Sequence, residues 1–312
     1  MKSTLFHQPW WLDVVAPNAW ATAEVLDGGR VMACMPYTFR RRFGLNFIEM
    51  PPLTQVLGPI EPDYQGKYAN RLARQKDVYD GLMAALPNYD LFRQSFHSGV
   101  TNWLPFYWRG FAQSTRYTYR LDLSLPKDAL WAGTQDRVRT DIRKAQRKLK
   151  LREESDPDRF LDVIALTFQR QGMRLPYEAA MIRRLFDQAP RHARMRVLAA
   201  EDQHGAIHGV ALFVGDEDCV YYLLGGADPN LRNSGCQSLL LWEGICWAAT
   251  FSRVFDFEGS MLEGVERFVR GFGAQQTPYF QITAMSRRMT VLWHGAAMLR
   301  GATGRPSSVF SI

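Results

Sequence analysis

Residues 194–229 contain three apolar stretches separated by two short polar turns, DQHG and GDED. Turns of this length and composition between strand-forming residues predict a meander of three antiparallel strands. Helical patterns at 157–172 and 177–188 precede it. The chain then continues with a helix at LRNSGCQSLLLWEGICWAA, a strand at VFDFEG, a helix at LEGVERFVRGFG and a strand at QQTPYFQITA. This order, β-β-β-α-β-α-β, predicts an α/β fold of the α+β kind, with mixed sheets.

The first half of the chain repeats this order of elements. The elements are a helix at 9–15, strands at 19–26, 30–37 and 45–50, a Pro/Gly-rich loop at 51–68, a helix at 72–86, a strand at 89–96, a short helix at 103–108 and a strand at 113–123. A length of 312 residues suits two domains better than one. The sequence therefore predicts domains at 1–125 and 126–312, with a duplicated architecture and no residue-level repeat.

Composition excludes several classes of protein. The chain is 46% hydrophobic, yet it has no apolar run of the roughly 20 residues that span a bilayer and no signal peptide, so we expect a cytoplasmic protein without a membrane span. The four cysteines form no CxxC pair, and His204 and His208 flank a turn instead of sharing a helix face, so we expect no metal site. Walker, GxSxG and HExxH motifs are absent from the sequence.

Much of the net charge of +7 lies in DRVRTDIRKAQRKLK, residues 136–150. Val138, Ile142, Ala145 and Leu149 form an apolar stripe at helical spacing, and basic residues fill the rest. The segment is interpreted as an amphipathic helix with a solvated basic face. Binding of RNA through that face is an alternative.

Asp256 and Glu258 are separated by one residue in the expected strand at 254–259, so they should share one face while Phe255 and Phe257 enter the core. One interpretation is a salt bridge to Arg267 or another base. The other is that one carboxylate, close to a like charge and partly desolvated, has a raised pKa and acts as a general base. We favour Glu258 as this base over Asp256, and Tyr222 is the next candidate.

Three segments together carry a resemblance to a known family: YYLLGGADPNLRNSGCQSLLLWEGICWAA, FDFEGS and GVERFVRGFGAQQTPYF. They resemble the second domain of the FemABX family and the wider FemAB-like acyltransferases of the GNAT superfamily. WAGTQDRVRTDIRKAQRK is similar to the arginine-rich helix that opens that domain, and FHQPWWLDVV and MPPLTQVLGP resemble the first domain more loosely. The resemblance implies tandem GNAT-like domains, with the active cleft in the second.

The resemblance also implies attack of an amine on an activated acyl group. The donor is an acyl-CoA in most GNAT enzymes and an aminoacyl-tRNA in the cell-wall bridge enzymes, with no tightly bound cofactor. FemABX enzymes have a Phe-Lys pair in the last helix where this chain has Phe268-Val269. This chain keeps the RxxGx part of the GNAT signature at 232–236, although Gln237 follows where Gly or Ala is usual. We therefore expect an acyl-CoA donor, with aminoacyl-tRNA as the alternative.

Further site residues follow from the resemblance. Donor phosphates are expected at the start of the helix after the meander and at two arginines of the last helix, namely Arg232, Asn233, Ser234, Gly235, Cys236, Arg267 and Arg270. A simple helix cap and a solvated helix face are the alternatives. Substrate contacts are expected at Gly225, Gly226, Gly259, Ser260 and Trp103. Residues 102–110, which include Trp103, could stack a sugar or base, or could be core.

The function expected from the sequence is N-acyl transfer from acyl-CoA to an amine acceptor, either a small molecule or a cell-envelope precursor. Two alternatives stay open. One is aminoacyl transfer from tRNA to a cell-wall precursor, and the other is a non-catalytic binding module that keeps the fold as a scaffold.

Overall fold

The computed structural model describes residues 3–170, 172–259 and 261–301. Two compact units are present. The first comprises Met1–Arg116 with Pro278–Ile312, and the second Tyr117–Thr277. Each unit contains both parallel and antiparallel strand pairs together with helices, so the α/β class with mixed strand pairing is confirmed.

The first unit contains a meander of β1, β2 and β3, followed by β4 parallel to β3 and β11 antiparallel to β4. Its strands are β1 Trp20–Asp27, β2 Arg30–Arg42, β3 Leu45–Glu49, β4 Leu91–Ser95 and β11 Gln275–Met285. Its helices are α1 Pro9–Val15, α2 Tyr68–Ala84, α3 Leu104–Trp108 and α10 Arg287–Gly301, and a 3-10 turn at Leu5–His7 precedes α1. Buried aromatic and aliphatic side chains, among them Tyr79, Phe92, Phe96, Phe106 and Ile282, form its core.

The second unit contains the expected meander, here β7, β8 and β9, with β6 antiparallel to β7, β10 parallel to β9 and β5 antiparallel to β10. The strands are β5 Ala112–Asp122, β6 Lys150–Glu153, β7 Arg194–Glu201, β8 Ile207–Gly215, β9 Cys219–Ala227 and β10 Val254–Asp256. The helices are α4 Lys127–Gly133, α5 Asp136–Gln146, α6 Pro157–Arg170, α7 Ala179–His192, α8 Cys236–Ala248 and α9 Glu263–Arg270, with a 3-10 turn at Arg232–Ser234.

The two units therefore repeat one pattern of elements. The last strand of each pattern, however, comes from the other half of the chain. The sequence analysis placed β5 with the first domain and β11 with the second. The registers show the reverse, because β5 pairs with β10 at Asp122, Leu121 and Arg120, and β11 pairs with β4 from Gln281 to Met285. Equivalent strands offer equivalent edges, and chain order alone does not decide between them. We keep 1–125 and 126–312 as the proposed limits of the duplicated sequence.

Burial in the second unit follows the sequence patterns. Leu239, Leu240, Leu241 and Ile245 of α8 are all buried, as expected for a helix that is apolar on all sides. In α5, Val138, Ile142 and Ala145 are buried, which leaves the basic residues on the other face. Phe255 and Phe257 both enter the core, as expected.

Candidate active site in the second unit

Strand β9 extends well beyond its partner β10. The parallel pairing covers only Cys219–Tyr221, opposite Val254–Asp256, while β9 continues beside β8 to Ala227. Beyond Tyr221, no described strand pairs with the side of β9 that faces β10. A strand edge without a neighbouring strand can accept an extended ligand through backbone hydrogen bonds.

Asp256 is the last residue of β10, and its carboxylate is completely buried. Oδ2 accepts a hydrogen bond from Arg120 Nε at 2.7 Å, and Oδ1 accepts bonds from Thr118 Oγ1 at 2.5 Å and from the Glu258 amide at 2.8 Å. The salt bridge considered from the sequence thus forms with Arg120 of β5. Both oxygens of Asp256 are occupied, so the carboxylate holds β5, β10 and the next turn together.

Glu258 lies just past the end of β10, where the backbone turns into the left-handed region with φ of 56°. The expected shared strand face with Asp256 does not form, because the strand ends at Asp256. Glu258 Oε1 is buried and has no hydrogen-bond partner within the described ranges. Burial, and then the charge of Asp256, raise the pKa of the Glu258 carboxyl well above its ordinary value.

Tyr177 is a residue that the sequence analysis did not identify, and it lies within electrostatic range of Glu258. Burial, and then the Glu258 charge, raise the pKa of Tyr177 to about 12. Its ring packs edge-on against Phe168, with 6.3 Å between the centroids. The surroundings of Glu258 therefore include the aromatic side chain of Tyr177, and such a ring stabilises a neutral carboxyl group or one bound to a cation.

Gly259 follows Glu258 with φ of 54°, so both residues of the turn are left-handed. A Cβ atom at Gly259 would overlap the Cα atom of Thr118 and the carbonyl oxygen of Tyr117. The sequence analysis expected Gly259 to allow close approach of a ligand. Its glycine is instead required by the close approach of the β5 backbone, which fixes the position of Glu258. Ser260 lies outside the described residues.

Replacement of Gly259 by Ala should therefore lower stability by about 1–3 kcal/mol, from the left-handed backbone and the overlap with β5. Thermal unfolding of the variant measures this. Gly264→Ala is the matched control, because Gly264 lies in α9 and an added Cβ meets no atom within 4 Å among the described residues. An equal melting temperature for Gly259→Ala and the natural chain would contradict the proposed packing against β5.

Tyr222, Gly225 and Gly226 form a connected group on β9. An added Cβ on Gly225 would overlap the Tyr222 hydroxyl, so the absence of a side chain there makes room for the tyrosine. That hydroxyl donates to Gln237 Oε1 at 3.4 Å, and Gln237 Nε2 donates to the Gly226 carbonyl at 2.5 Å. Gly226 also lets Ile164 of α6 approach, since an added Cβ would lie 3.1 Å from its Cδ1. Burial raises the pKa of Tyr222, so its hydroxyl keeps its proton.

The segment expected to bind donor phosphates forms the 3-10 turn Arg232–Ser234 and the start of α8. Gly235 is the N-cap in the left-handed conformation, with φ of 80°, and an added Cβ would lie 2.5 Å from the Asp141 carbonyl oxygen. Cys236 is buried, and its Sγ contacts the His208 carbonyl oxygen at 3.4 Å. The first N–H groups of a helix have no partner within the helix, so this end presents free donors and a positive dipole.

Lys144 of α5 contributes to this helix end. Its Nζ donates to the Asn233 carbonyl oxygen at 2.5 Å, which fixes the basic helix α5 against the turn. The sequence analysis treated the basic helix and the RxxGx segment as separate features. The contact could not be predicted because Lys144 and Asn233 are 89 positions apart in the chain. The basic charge pattern of α5 was the one sequence signal that pointed to an anion near this helix end.

Arg267 and Arg270 lie on the exposed face of α9. Arg270 Nε forms an ion pair with Glu266 Oε1 at 2.8 Å, and the same oxygen accepts a bond from the Tyr119 hydroxyl at 2.7 Å. Of the two arginines, only Arg270 has an ion pair among the residues described. Trp103, the remaining expected substrate residue, belongs to the first unit, where it precedes α3.

Residues 136–270 match a family model described as an acetyltransferase (GNAT) domain. This range contains β9, β10, the start of α8 and both carboxylates. This part of the chain is therefore similar in sequence to GNAT domains. No curated protein matches the chain at a significant level.

Solved structures with similar folds cover both units. FemX has 13% identity and a TM-score of 0.64, with 88% of this chain and 91% of that chain covered. A tandem GNAT protein from the clavulanic acid biosynthesis pathway has 14% identity and a TM-score of 0.53, covering 86% and 84%. L-PGS from Bacillus licheniformis has 10% identity and a TM-score of 0.54, covering 88% and 87%. At sequence identities of 10–14%, the similarity to these three structures shows a shared fold and nothing about activity.

The family model and these folds confirm the resemblance to FemAB-like proteins of the GNAT superfamily and the tandem GNAT-like architecture. The chain thus has a GNAT-type acyltransferase fold. In the part of the chain that the structure describes, no helix is long and apolar enough to cross a membrane. Within the same residues, no group of three or more His, Cys, Asp or Glu side chains is placed to hold a metal ion.

Proposed function

We propose that this protein is an N-acyltransferase that moves an acyl group from acyl-CoA to an amine, with Glu258 as the general base. One observation supports this most strongly. Oε1 of the half-buried Glu258 is buried and lacks a hydrogen-bond partner among the described residues, and Glu258 follows β10 where β9 continues without it. An unsatisfied buried acid beside an open strand edge is costly for stability and suits a proton acceptor at a functional site.

The amine arrives as an ammonium ion and must lose a proton before it can attack. Glu258 accepts this proton, and the neutral nitrogen forms a bond to the acyl carbonyl carbon, giving a tetrahedral oxyanion. The nitrogen of this intermediate carries a positive charge and loses a second proton as the carbon–sulfur bond breaks, which leaves the neutral amide and the CoA thiolate. Tyr222 is the proposed relay for this proton: its hydroxyl, which burial keeps protonated, gives a proton to the thiolate and takes up the proton that the nitrogen loses. Asp256 positions Glu258 by accepting its amide hydrogen bond.

The start of α8 is the proposed site for the donor phosphates. The helix dipole and the N–H groups of the first turn favour an anion, and Gly235, whose missing side chain lets the Asp141 carbonyl approach, holds this helix end in place. Arg232, Asn233, Ser234 and Cys236 complete this site, and Arg267 and Arg270 of α9 are proposed as further phosphate contacts. Gly225, Gly226 and Gly259, with Ser260 and Trp103, stay proposed substrate contacts. Asp256 stays a second, less favoured base.

The acceptor is proposed to be a small amine or an amine-bearing cell-envelope precursor in the cytoplasm. A direct experiment is to incubate the purified protein with radiolabelled acetyl-CoA and longer acyl-CoAs, using thermal shift for binding and amine panels for transfer. Donor binding together with transfer supports the proposal. Donor binding without transfer to any amine would favour a non-catalytic binding module, and no response to any acyl-CoA would contradict the proposed donor.

A second donor, aminoacyl-tRNA, is favoured by the basic surface of α5. Arg143 and Arg147 are exposed there, and Lys144 of the same helix binds the Asn233 carbonyl beside the start of α8. The same surface is the proposed site for general RNA binding, which would not require Glu258. A polyanion bound at α5 would thus contact residues next to the proposed phosphate site.

If tRNA binds at α5, its affinity should fall steeply with salt, because binding releases counterions from the phosphates. Reversing the charge of Arg143, Lys144 and Arg147 should weaken binding by about tenfold or more and flatten the salt dependence. Filter binding at several salt concentrations measures both. Reversal of Arg159, Arg191 and Arg253 is the matched control. Unchanged tRNA affinity after the α5 reversals would remove this candidate.

A further inference from the structure

The first unit contains a cavity of about 550 Å³ that is separate from the site described above. Its wall is formed by the loop before α2, by α2 itself, by the segment between β4 and α3, and by Phe280 of β11. The aromatic lining residues are Tyr64, Tyr68, Trp103 and Phe280, and the acidic ones are Glu61 and Asp63. A cavity of this size holds a small organic molecule.

Glu61 is held rigidly in this wall. Its Oε1 accepts a hydrogen bond from the Tyr79 hydroxyl at 3.0 Å and another from Gln75 Nε2. Gln75 is fixed in turn by Asn102, whose Nδ2 donates to Gln75 Oε1 at 2.8 Å. One oxygen of the carboxylate is thus committed to a network that sets its orientation.

The other oxygen, Oε2, is buried and has no hydrogen-bond partner among the described residues, and the same holds for the Tyr64 hydroxyl. Burial raises the pKa of Glu61, and the bonds from Gln75 and Tyr79 oppose this only in part. Burial, and then the Glu61 charge, raise the pKa of Tyr64 to about 12. Two residues that line one aromatic-lined cavity therefore each have a buried oxygen without a hydrogen-bond donor among the described residues.

Among the described residues, Arg71 is the one arginine or lysine that lines the cavity, and His97 is the one histidine. Its guanidinium lies over the Tyr68 ring, 4.9 Å from the centroid, and it forms no ion pair with Glu61. An anion would meet two acids and two unpaired acceptors. A ligand with several N–H donors and a positive charge would satisfy both acceptors and lie against the aromatic faces.

We propose that this cavity binds the primary ammonium group of a small amine, with Glu61 Oε2 and the Tyr64 hydroxyl as its hydrogen-bond acceptors. The aromatic walls, with Trp103 and Phe280, cover the carbon chain of the ligand. Trp103, proposed above as a substrate contact, then contacts this ligand within the first unit.

Calorimetry with three matched probes on the full chain tests this proposal. Benzylammonium donates hydrogen bonds and carries charge, benzyltrimethylammonium carries charge without donors, and benzyl alcohol is neutral. Benzylammonium should bind about tenfold or more tightly than either of the others, because only it satisfies both acceptors. No binding of benzylammonium at millimolar concentration, or equal binding of the three probes, would overturn the proposal.

Variants locate the site. Glu61→Gln should weaken benzylammonium binding by about tenfold or more, and Tyr64→Phe should weaken it several-fold. Asp63→Asn, an exposed acid on the same wall, should leave it within about twofold. If Glu61→Gln fails to fold, the Tyr64→Phe variant tests the proposal. Unchanged benzylammonium binding in Tyr64→Phe would overturn the proposed site. Glu258→Gln should bind the probe normally, so failure of this proposal and failure of the proposed acyl transfer are distinguishable.

Discussion

Glu258→Gln is expected to keep the fold and to lower turnover by about 10²- to 10⁴-fold, the range for loss of a general base. The amide has the same shape but cannot accept the proton of the ammonium ion. Steady-state kinetics with a saturating acyl donor measure the loss. Glu263→Gln is the control, because Glu263 is an exposed residue in the first turn of α9 and should retain full activity.

Two pH effects should accompany this loss. In the natural chain, activity should rise with pH as Glu258 loses its proton, and this limb should be absent from the residual activity of the variant. Because the folded-state pKa of Glu258 is raised, the folded chain binds more protons than the unfolded chain, so its stability falls as pH rises above the ordinary glutamate pKa. Glu258→Gln removes this cost and should melt at an equal or higher temperature at neutral pH. A normal turnover in this variant would exclude Glu258 as the base.

Asp256→Asn is expected to give the opposite result, a large loss of stability. The change leaves Arg120 beside a neutral amide in a buried site, and breaking a buried ion pair from one side costs about 3–5 kcal/mol. For a unit of this size the melting temperature should fall by roughly 6–20 °C. Thermal unfolding followed by circular dichroism measures the change.

The matched control for this change is Asp218→Asn. Asp218 also pairs with an arginine, Arg253, at 3.7 Å, but both side chains are 82% exposed. Its loss should cost about 0–1 kcal/mol. If Asp256→Asn instead melted like the natural chain and lost turnover, Asp256 would be the base and Glu258 its support.

The order of elements in both halves could be predicted from local patterns, because hydrophobic period and turn composition are local properties. The alternation in FDFEG correctly placed Phe255 and Phe257 in the core, yet it extended the strand through Glu258. Alternation of apolar and polar residues carries no information about the backbone angle φ. Because Glu258 and Gly259 both have positive φ values, the chain turns there and β10 ends before Glu258. The partner of Asp256 could not be found either, since Arg120 lies 136 positions earlier in the chain.

Cavities are harder to foresee than elements. Glu61 lies in a segment that the sequence identified only as a Pro/Gly-rich loop, and its partners come from α2. Packing of the loop against the helix creates the buried acid, and no local pattern records that packing. Trp103 was predicted as a substrate contact because it lies in the aromatic-rich segment 102–110. That pattern identified the residue but did not indicate which class of ligand it would contact.

The first unit is built from two separate parts of the chain, whereas the second is one continuous segment. During synthesis, nearly all of the second unit, through residue 274, emerges before β11, so this unit can fold while the first still lacks the strand that pairs with β4. Until then β4 exposes the backbone groups that β11 will bind from Gln281 to Met285. An open strand edge invites pairing with other chains, so nascent chains that stall before Pro278 are the form of this protein most prone to aggregate.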